Sequence, residues 1–131
     1  MRVLKFGGTS VANAQNIKLV LDIVIKKAEQ ENLIVVVSAF TKVTDLLVLA
    51  SQKAASNEES YKEIVAEIEK KHLDAIKELI PVSEQSGVLS HIKRIINHLE
   101  TLLDGCFLLG ELSPRTSDTI LSFGELLSSY I

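Results

Sequence analysis

One cysteine, Cys106, stands in 131 residues. That excludes an internal disulfide and any metal site built from several thiolates, and it fits a reducing compartment. Histidines are also few, at positions 72, 91 and 98. His91 and His98 are seven residues apart, roughly 10 Å along a helix, too far to share one ion unaided. With no clustered carboxylates beside them, the sequence assigns no protein metal site. It assigns no Ser/His/Asp or Cys/His nucleophile either. A surplus of positive charge is lacking too: the formal net charge is -3, which argues against a general nucleic-acid binder, because counterion release needs a cationic face. Long apolar runs are missing. The longest, Leu33 to Val37, falls far short of the ~20 residues a membrane helix needs. After Arg2 only two apolar residues precede Lys5, so no secretory signal pattern is evident. The chain reads as soluble and cytoplasmic.

What the chain does have is apolar content for a core, 47% of residues, with an ordinary 24% charged. Its length allows one domain at most, or part of a larger one. The final "GELLSSYI" stops inside an apolar helical pattern without a glycine cap or polar tail, which predicts the front part of a longer protein.

"RVLKF" is a strand candidate. From Ser10 to about Gln30, Ile17, Val20, Leu21, Val24 and Ala28 recur at helical spacing, with Thr9 or Ser10 as the expected cap. "LIVVVSA" is a β-branched run that predicts a strand covered on both faces. Strand, helix and strand make a βαβ unit with parallel pairing. Four further helices follow. One carries Val43, Leu46, Leu47, Ala50 and Ala54, capped near Thr41. The next, after the polar break "SNEES", runs from Tyr61 to Leu79 and ends at Pro81. Glu58–Lys62 and Glu67–Lys71 are expected i,i+4 pairs on or beside it, and its acidic residues read as a solvated face with His72 on the apolar stripe. The next has Leu89, Ile92, Ile96, Leu99, Leu103 and Cys106 at 3-4-3-4-3 spacing, suited to an antiparallel neighbour. "GELSPRTSD" is expected to be a loop, and the last helix to begin near Ser117.

Three stretches carry chemistry. In "KFGGTSV" two glycines follow a strand, so backbone N–H groups can approach a ligand, and the next helix N-terminus adds positive potential. Lys5 supplies a compact cation for phosphate oxygens. The order is neither that of a Walker A loop nor that of the dinucleotide fingerprint. A plain glycine turn with a hydroxyl cap and a surface lysine accounts for the same residues. "VVVSAFTKVTDLL" repeats the pattern, with Ser38, Thr41 and Thr44 as hydroxyls that can cap a helix. Two such turns from neighbouring parallel strands share the carboxyl edge of the sheet, where open α/β sheets bind ligands. In "ILSFGELLSSY", Glu125 is the only charge between Thr119 and Ile131, and Gly124 sits mid-helix where it costs ~1 kcal/mol relative to alanine. A glycine there admits a close neighbour, whereas Glu125 alone would read as a solvent-facing glutamate.

In this order and spacing, the three stretches closely resemble the N-terminal part of aspartokinases, members of the amino-acid kinase family. The opening "MRVLKFGGTSVANAQNI" looks most like the bifunctional aspartokinase–homoserine dehydrogenases. The resemblance implies an αβα sandwich of the amino-acid kinase type. Residues 1–131 would be its incomplete, helix-rich N-terminal portion with a parallel βαβ unit. It implies transfer of the γ-phosphoryl group of MgATP to the side-chain carboxylate of L-aspartate. The product is 4-phospho-L-aspartate, the first step towards lysine, threonine and methionine. By the same resemblance Lys5 is catalytic and binds ATP together with Gly7, Gly8 and Ser10. Ser38, Ala39 and Thr44 line the aspartate site, and Glu125 holds the substrate's α-ammonium. ATP with Mg²⁺ and L-aspartate are the implied small-molecule partners, with a homo-oligomer for the full-length protein and no nucleic acid or membrane partner. Lys42 departs from the glycine or small residue that many relatives have before the hydrophobic–Thr pair. The second half of the kinase domain would carry the adenine site and further catalytic residues, so this chain by itself is expected to have little or no activity. Two other readings stay open: an amino-acid kinase acting on glutamate, acetylglutamate, carbamate or a nucleoside monophosphate, and a non-catalytic binding module.

Overall fold

The computed structural model describes residues 1–131. The chain runs β1 (Arg2–Phe6), α1 (Ala14–Ala28), β2 (Leu33–Val37), α2 (Val43–Ala55), α3 (Tyr61–Leu79), a 3-10 turn (Val82–Glu84), α4 (Gln85–Leu109) and α5 (Pro114–Ser129). The two strands pair in parallel, from Arg2 with Leu33 to Phe6 with Val37. The β1–α1–β2 unit is therefore as the patterning predicts. Parallel pairing sends both strands out of the sheet at the same end, where the next residues are Gly7–Gly8 and Ser38–Ala39.

The second half is a helical body. Helix α2 packs on α3, α4 and α5, and α3 packs on α4. Their stripes build one apolar cluster that includes Val43, Leu47, Ile68, Ile76, Ile92, Ile96, Leu99, Leu103, Ile120 and Leu127, all without exposed surface. Tyr61 lies in the same cluster, and its hydroxyl donates to the Asp104 carboxylate. Burial first, and then that bond, push the phenol up to about 12.

Local chemistry shifts several boundaries. Helix α1 starts at Ala14, because the side chain of Asn13, not Thr9 or Ser10, caps it by accepting from the Asn16 N–H at 2.9 Å. Ser10 instead closes a turn through its N–H to the Gly7 carbonyl. Thr41 does not cap α2. The cap position is Lys42, at φ 69°, with no side-chain bond. This left-handed backbone is the one that favours glycine, which gives a physical reason for a small residue at that position. Helix α5 begins at Pro114, four residues inside the expected loop region's end, with Ser113 accepting from the Thr116 N–H. Proline suits the first helical position because its missing N–H has no intrahelical acceptor there. The expected Glu58–Lys62 and Glu67–Lys71 pairs do not form. Glu58 bonds Lys53 at 2.8 Å, and Lys71 reaches the Thr41 carbonyl.

One larger expectation fails. Strand β2 is not covered on both faces: Ile34, Val35 and Val36 keep 46%, 41% and 42% of their surface. Helices α1 and α5 are the ones that pack on it, and they leave these three side chains partly open.

His72 is fully buried and stacks on Phe40 at 4.7 Å between centroids. Its Nδ1–H donates to the Ile68 carbonyl at 2.7 Å, which leaves Nε2 as an acceptor without a partner. Burial, reinforced by the nearby Lys71 charge, lowers its pKa against the opposing effect of the Ile68 bond. The folded protein therefore carries it neutral, whereas the unfolded chain protonates it near the ordinary 6.5. Below that value the unfolded state binds more protons, so stability falls as the pH drops from 6.5 towards the lower folded value and is unaffected above it. Urea midpoints measured between pH 7.5 and 5.5 should decline, and His72→Phe, which keeps the stack, should remove that part of the slope.

The helical glycines make a second test. A Cβ on Gly124 would lie 2.8 Å from the Ala39 Cβ, while one on Gly105 would meet nothing within 4 Å. Both substitutions gain ~1 kcal/mol of helix propensity, but only Gly124→Ala overpacks, at ~1–3 kcal/mol. Denaturant titration should show Gly105→Ala stabilised and Gly124→Ala destabilised.

Candidate functional site

The site is built where the two strands end. Beyond Phe6 the chain turns through Gly7–Ser10, and beyond Val37 it turns through Ser38–Lys42 into α2. The Ser38 N–H donates to the Phe6 carbonyl at 3.0 Å, which extends the ladder one residue past β2. The Thr41 hydroxyl crosses to the Gly8 carbonyl at 2.9 Å and ties the two turns together. Gly8 lies directly against the second turn: a Cβ there would make ordinary contacts, 3.6 Å from the Ala39 carbonyl oxygen and 4.0 Å from Ser38 Oγ.

Helix α5 closes against the same turn. Gly124 lies over Ala39, Val43 and Leu47 at the start of α2. The Ser128 hydroxyl, one helical turn further on, donates to the Ser38 carbonyl at 2.6 Å. Gly8, Ser38, Ala39 and Gly124 therefore form one contiguous backbone cluster, drawn from positions more than a hundred residues apart. Glu125 follows Gly124 directly on α5, and its side chain is exposed.

The polar side chains around this cluster share a property. Lys5, Ser10, Ser38, Thr44 and Glu125 make no side-chain hydrogen bond, and Lys5 and Glu125 make no ion pair. Of the hydroxyls elsewhere on the helices, those of Ser51, Thr101, Thr119, Ser122 and Ser129 bond carbonyls of their own helix, while those of Ser86, Ser90 and Ser117 are also unbonded. The N–H groups of Gly7, Gly8, Thr9 and Ala39 also have no backbone acceptor. Two successive turns at one sheet edge thus present unused donors, and a cation stands in β1 one residue before its end. Such an edge suits an anion. Glu125 supplies an unpaired carboxylate on the helix packed against it, which suits a cationic group of the same ligand.

The structure joins the glycine turn, the Ser38–Ala39 turn and the α5 glycine. Lys5 is placed in β1, opposite Val36, with its side chain exposed. Thr44 occupies the first turn of α2 and is exposed as well. Sequence reasoning missed the two braces. Thr41 was read as a cap and Ser128 was not singled out, although its spacing of four from Gly124 puts both on one face of α5. The apolar groove beside this edge, about 290 Å³ and lined by Val11, Ile17, Val20, Val35 and Phe40 among others, carries almost no polar chemistry. No group of three or more His, Cys, Asp or Glu side chains is arranged to hold a metal ion. Burial pushes the Cys106 thiol up, which keeps it un-ionised. No helix is long and apolar enough to cross a membrane.

Comparison with known proteins fits this geometry. The model of the amino acid kinase family matches residues 1–131. Aspartokinase 1, chloroplastic, of Arabidopsis thaliana is 39% identical over 132 residues, covering 98% of this chain and 22% of that protein. Bifunctional aspartokinase/homoserine dehydrogenase 2, chloroplastic, from the same plant is 35% identical over 127 residues, covering 97% of this chain and 14% of its own length. Among solved structures, E. coli aspartokinase III in complex with aspartate and ADP superposes with a TM-score of 0.82 at 28% identity, over 98% of this chain and 27% of that one. The chain thus spans less than a third of the length of these relatives. Its parallel βαβ unit, its paired turns and the match along its whole length place it in one group: the chain belongs to the amino acid kinase family.

Proposed function

We propose that the chain is the N-terminal portion, residues 1–131, of an aspartate kinase catalytic domain. The complete protein would transfer the γ-phosphoryl group of ATP to the side-chain carboxylate of L-aspartate. The observation that carries this reading is the meeting of the Gly7–Ser10 turn, the Ser38–Lys42 turn and α5 at one sheet edge, on elements that bear Lys5, Ser10, Ser38, Thr44 and Glu125 without side-chain partners. The relatives' names point the same way, and a solved relative holds aspartate and ADP.

In this proposal a carboxylate oxygen of aspartate attacks the γ-phosphorus, the bond to the β,γ-bridging oxygen breaks, and ADP leaves. A carboxylate is already ionised at pH 7, so no general base is required. The protein's task is to bring two anions together and to stabilise charge on the transferring group. Lys5 and the amides of Gly7 and Gly8, with Ser10, would hold ATP oxygens. Ser38, Ala39 and Thr44 would line the aspartate site, and Glu125 would pair with the α-ammonium. That last role separates aspartate from acetylglutamate and nucleotides, which have no free amine to hold. Mg²⁺ would arrive with ATP as part of the co-substrate. Homo-oligomerisation and a cytoplasmic location belong to the same proposal; the plant relatives' names carry a chloroplast designation.

Hydroxylamine trapping on the complete enzyme, with MgATP and a panel of amino acids, tests the substrate. Acyl phosphate should form with aspartate, and its failure to form with folded protein would remove the proposal. Lys5→Ala should lower phosphoryl transfer by about 10²–10³-fold, whereas a binding module would keep its behaviour. Residues 1–131 alone should show little or no turnover in the same assay.

A further inference from the structure

Ser128 is buried, with 7% of its surface exposed, on a helix where the hydroxyls of Thr119, Ser122 and Ser129 bond only carbonyls of their own helix. Its own hydroxyl lies 2.6 Å from the Ser38 carbonyl oxygen and 3.1 Å from the Glu125 carbonyl oxygen. One proton is thus shared between the backbones of two residues ninety and three positions away. The proposed function gives both to the amino acid, Glu125 at its α-ammonium and Ser38 in the lining of its site, and the unused Ala39 N–H beside Ser38 suits the carboxylate at the other end. On the other side of the edge, the glycine turn is held separately, by Thr41 on the Gly8 carbonyl.

We infer that Ser128 is a positioning residue that sets the spacing between the Ser38–Ala39 turn and Glu125, and through it the length of amino acid the site accepts. The inference rests on the aspartate-kinase reading. A charge pair at one end and a turn of unused donors at the other discriminate length only if their separation is held. The Gly124–Ala39 contact restrains that separation from below, since the Ala39 methyl already lies against bare Gly124, where a Cβ would come within 2.8 Å of it. Nothing but the Ser128 bond ties α5 to the Ser38 carbonyl. Without it the Ser38 carbonyl loses its donor and the Ser38–Ala39 turn is free to shift against α5, which stays packed on α2 and α4, so that a longer substrate is admitted. Thr41 leaves the nucleotide side unaffected by this change.

The test compares Ser128→Ala, Ser128→Cys, Ser128→Thr and the control Ser129→Ala in the complete enzyme. Ser129 bonds only the Leu126 carbonyl of its own helix. Ser128→Ala should raise KM for aspartate about fivefold to tenfold, the size of effect expected for one buried hydrogen bond. KM for ATP should stay within about twofold, and the preference in kcat/KM for aspartate over glutamate, one methylene longer, should fall. Ser128→Cys keeps the volume with a weaker donor and should show the same pattern in milder form, while Ser128→Thr restores the hydroxyl and should recover the preference. Ser129→Ala should match the wild type. Equal losses towards ATP and aspartate, or an unchanged aspartate/glutamate preference in folded Ser128→Ala and Ser128→Cys, would overturn the role of Ser128 alone. A wild-type enzyme that makes no aspartyl phosphate would overturn the functional reading with it.

Discussion

The close contact between Gly124 and Ala39 is the constraint on which the site depends. A Cβ on Gly124 would come within 2.8 Å of the Ala39 side chain, so α5 can lie on the start of α2 only because position 124 is bare. That contact brings the chain's last helix to the edge formed by its first two strands. Parallel pairing supplies the other half of the arrangement. Because β1 and β2 run the same way in fixed register, both post-strand turns emerge side by side, and α5 has one surface to close against.

The helical body explains why such a contact can be held. Helix α2 is packed on three sides by α3, α4 and α5, and its inward residues Val43, Leu47, Ala50 and Ala54 have no exposed surface. Interiors at this packing density resist small displacements, so the α2 start is a rigid seat for Gly124. His72 belongs to this support. Held neutral by burial and stacked on Phe40, it fills space beneath the Ser38–Lys42 turn. Lys71 reaches the Thr41 carbonyl from the same helix. The polar groups of the edge itself, by contrast, are left without partners, and that division between a satisfied interior and an unsatisfied rim is what a ligand site requires.

Much of this could be read from the residues in order. Apolar residues at helical spacing marked the helices, and a continuous β-branched run marked β2, because burial selects side chains by face, whereas the 3-10 turn Val82–Glu84 left no such pattern. Boundaries were read less well. Asn13 replaced Thr9 and Ser10 as the α1 cap, since several polar residues in a row can each cap and only the path of the turn selects one. Pro114 opened a helix where a loop was expected. The β-branched run of β2 implied two covered faces, yet coverage depends on which elements arrive, and α1 and α5 leave Ile34, Val35 and Val36 partly open.

The candidate site divides in the same way. Chemistry was carried by local composition: Lys5 beside two glycines, hydroxyls after a second strand, and a single carboxylate in an apolar helix each announce a capability that needs no distant residue. Sequence alone therefore determined the kinds of group present, the elements that bear them and the family pattern they follow. Tertiary structure decided which groups meet. That Thr41 ties down Gly8 instead of capping α2, that Gly124 faces Ala39, and that Ser128 joins Ser38 to Glu125 are long-range facts. They follow from how two layers pack, and no local periodicity encodes the distance between a residue near 38 and one near 128.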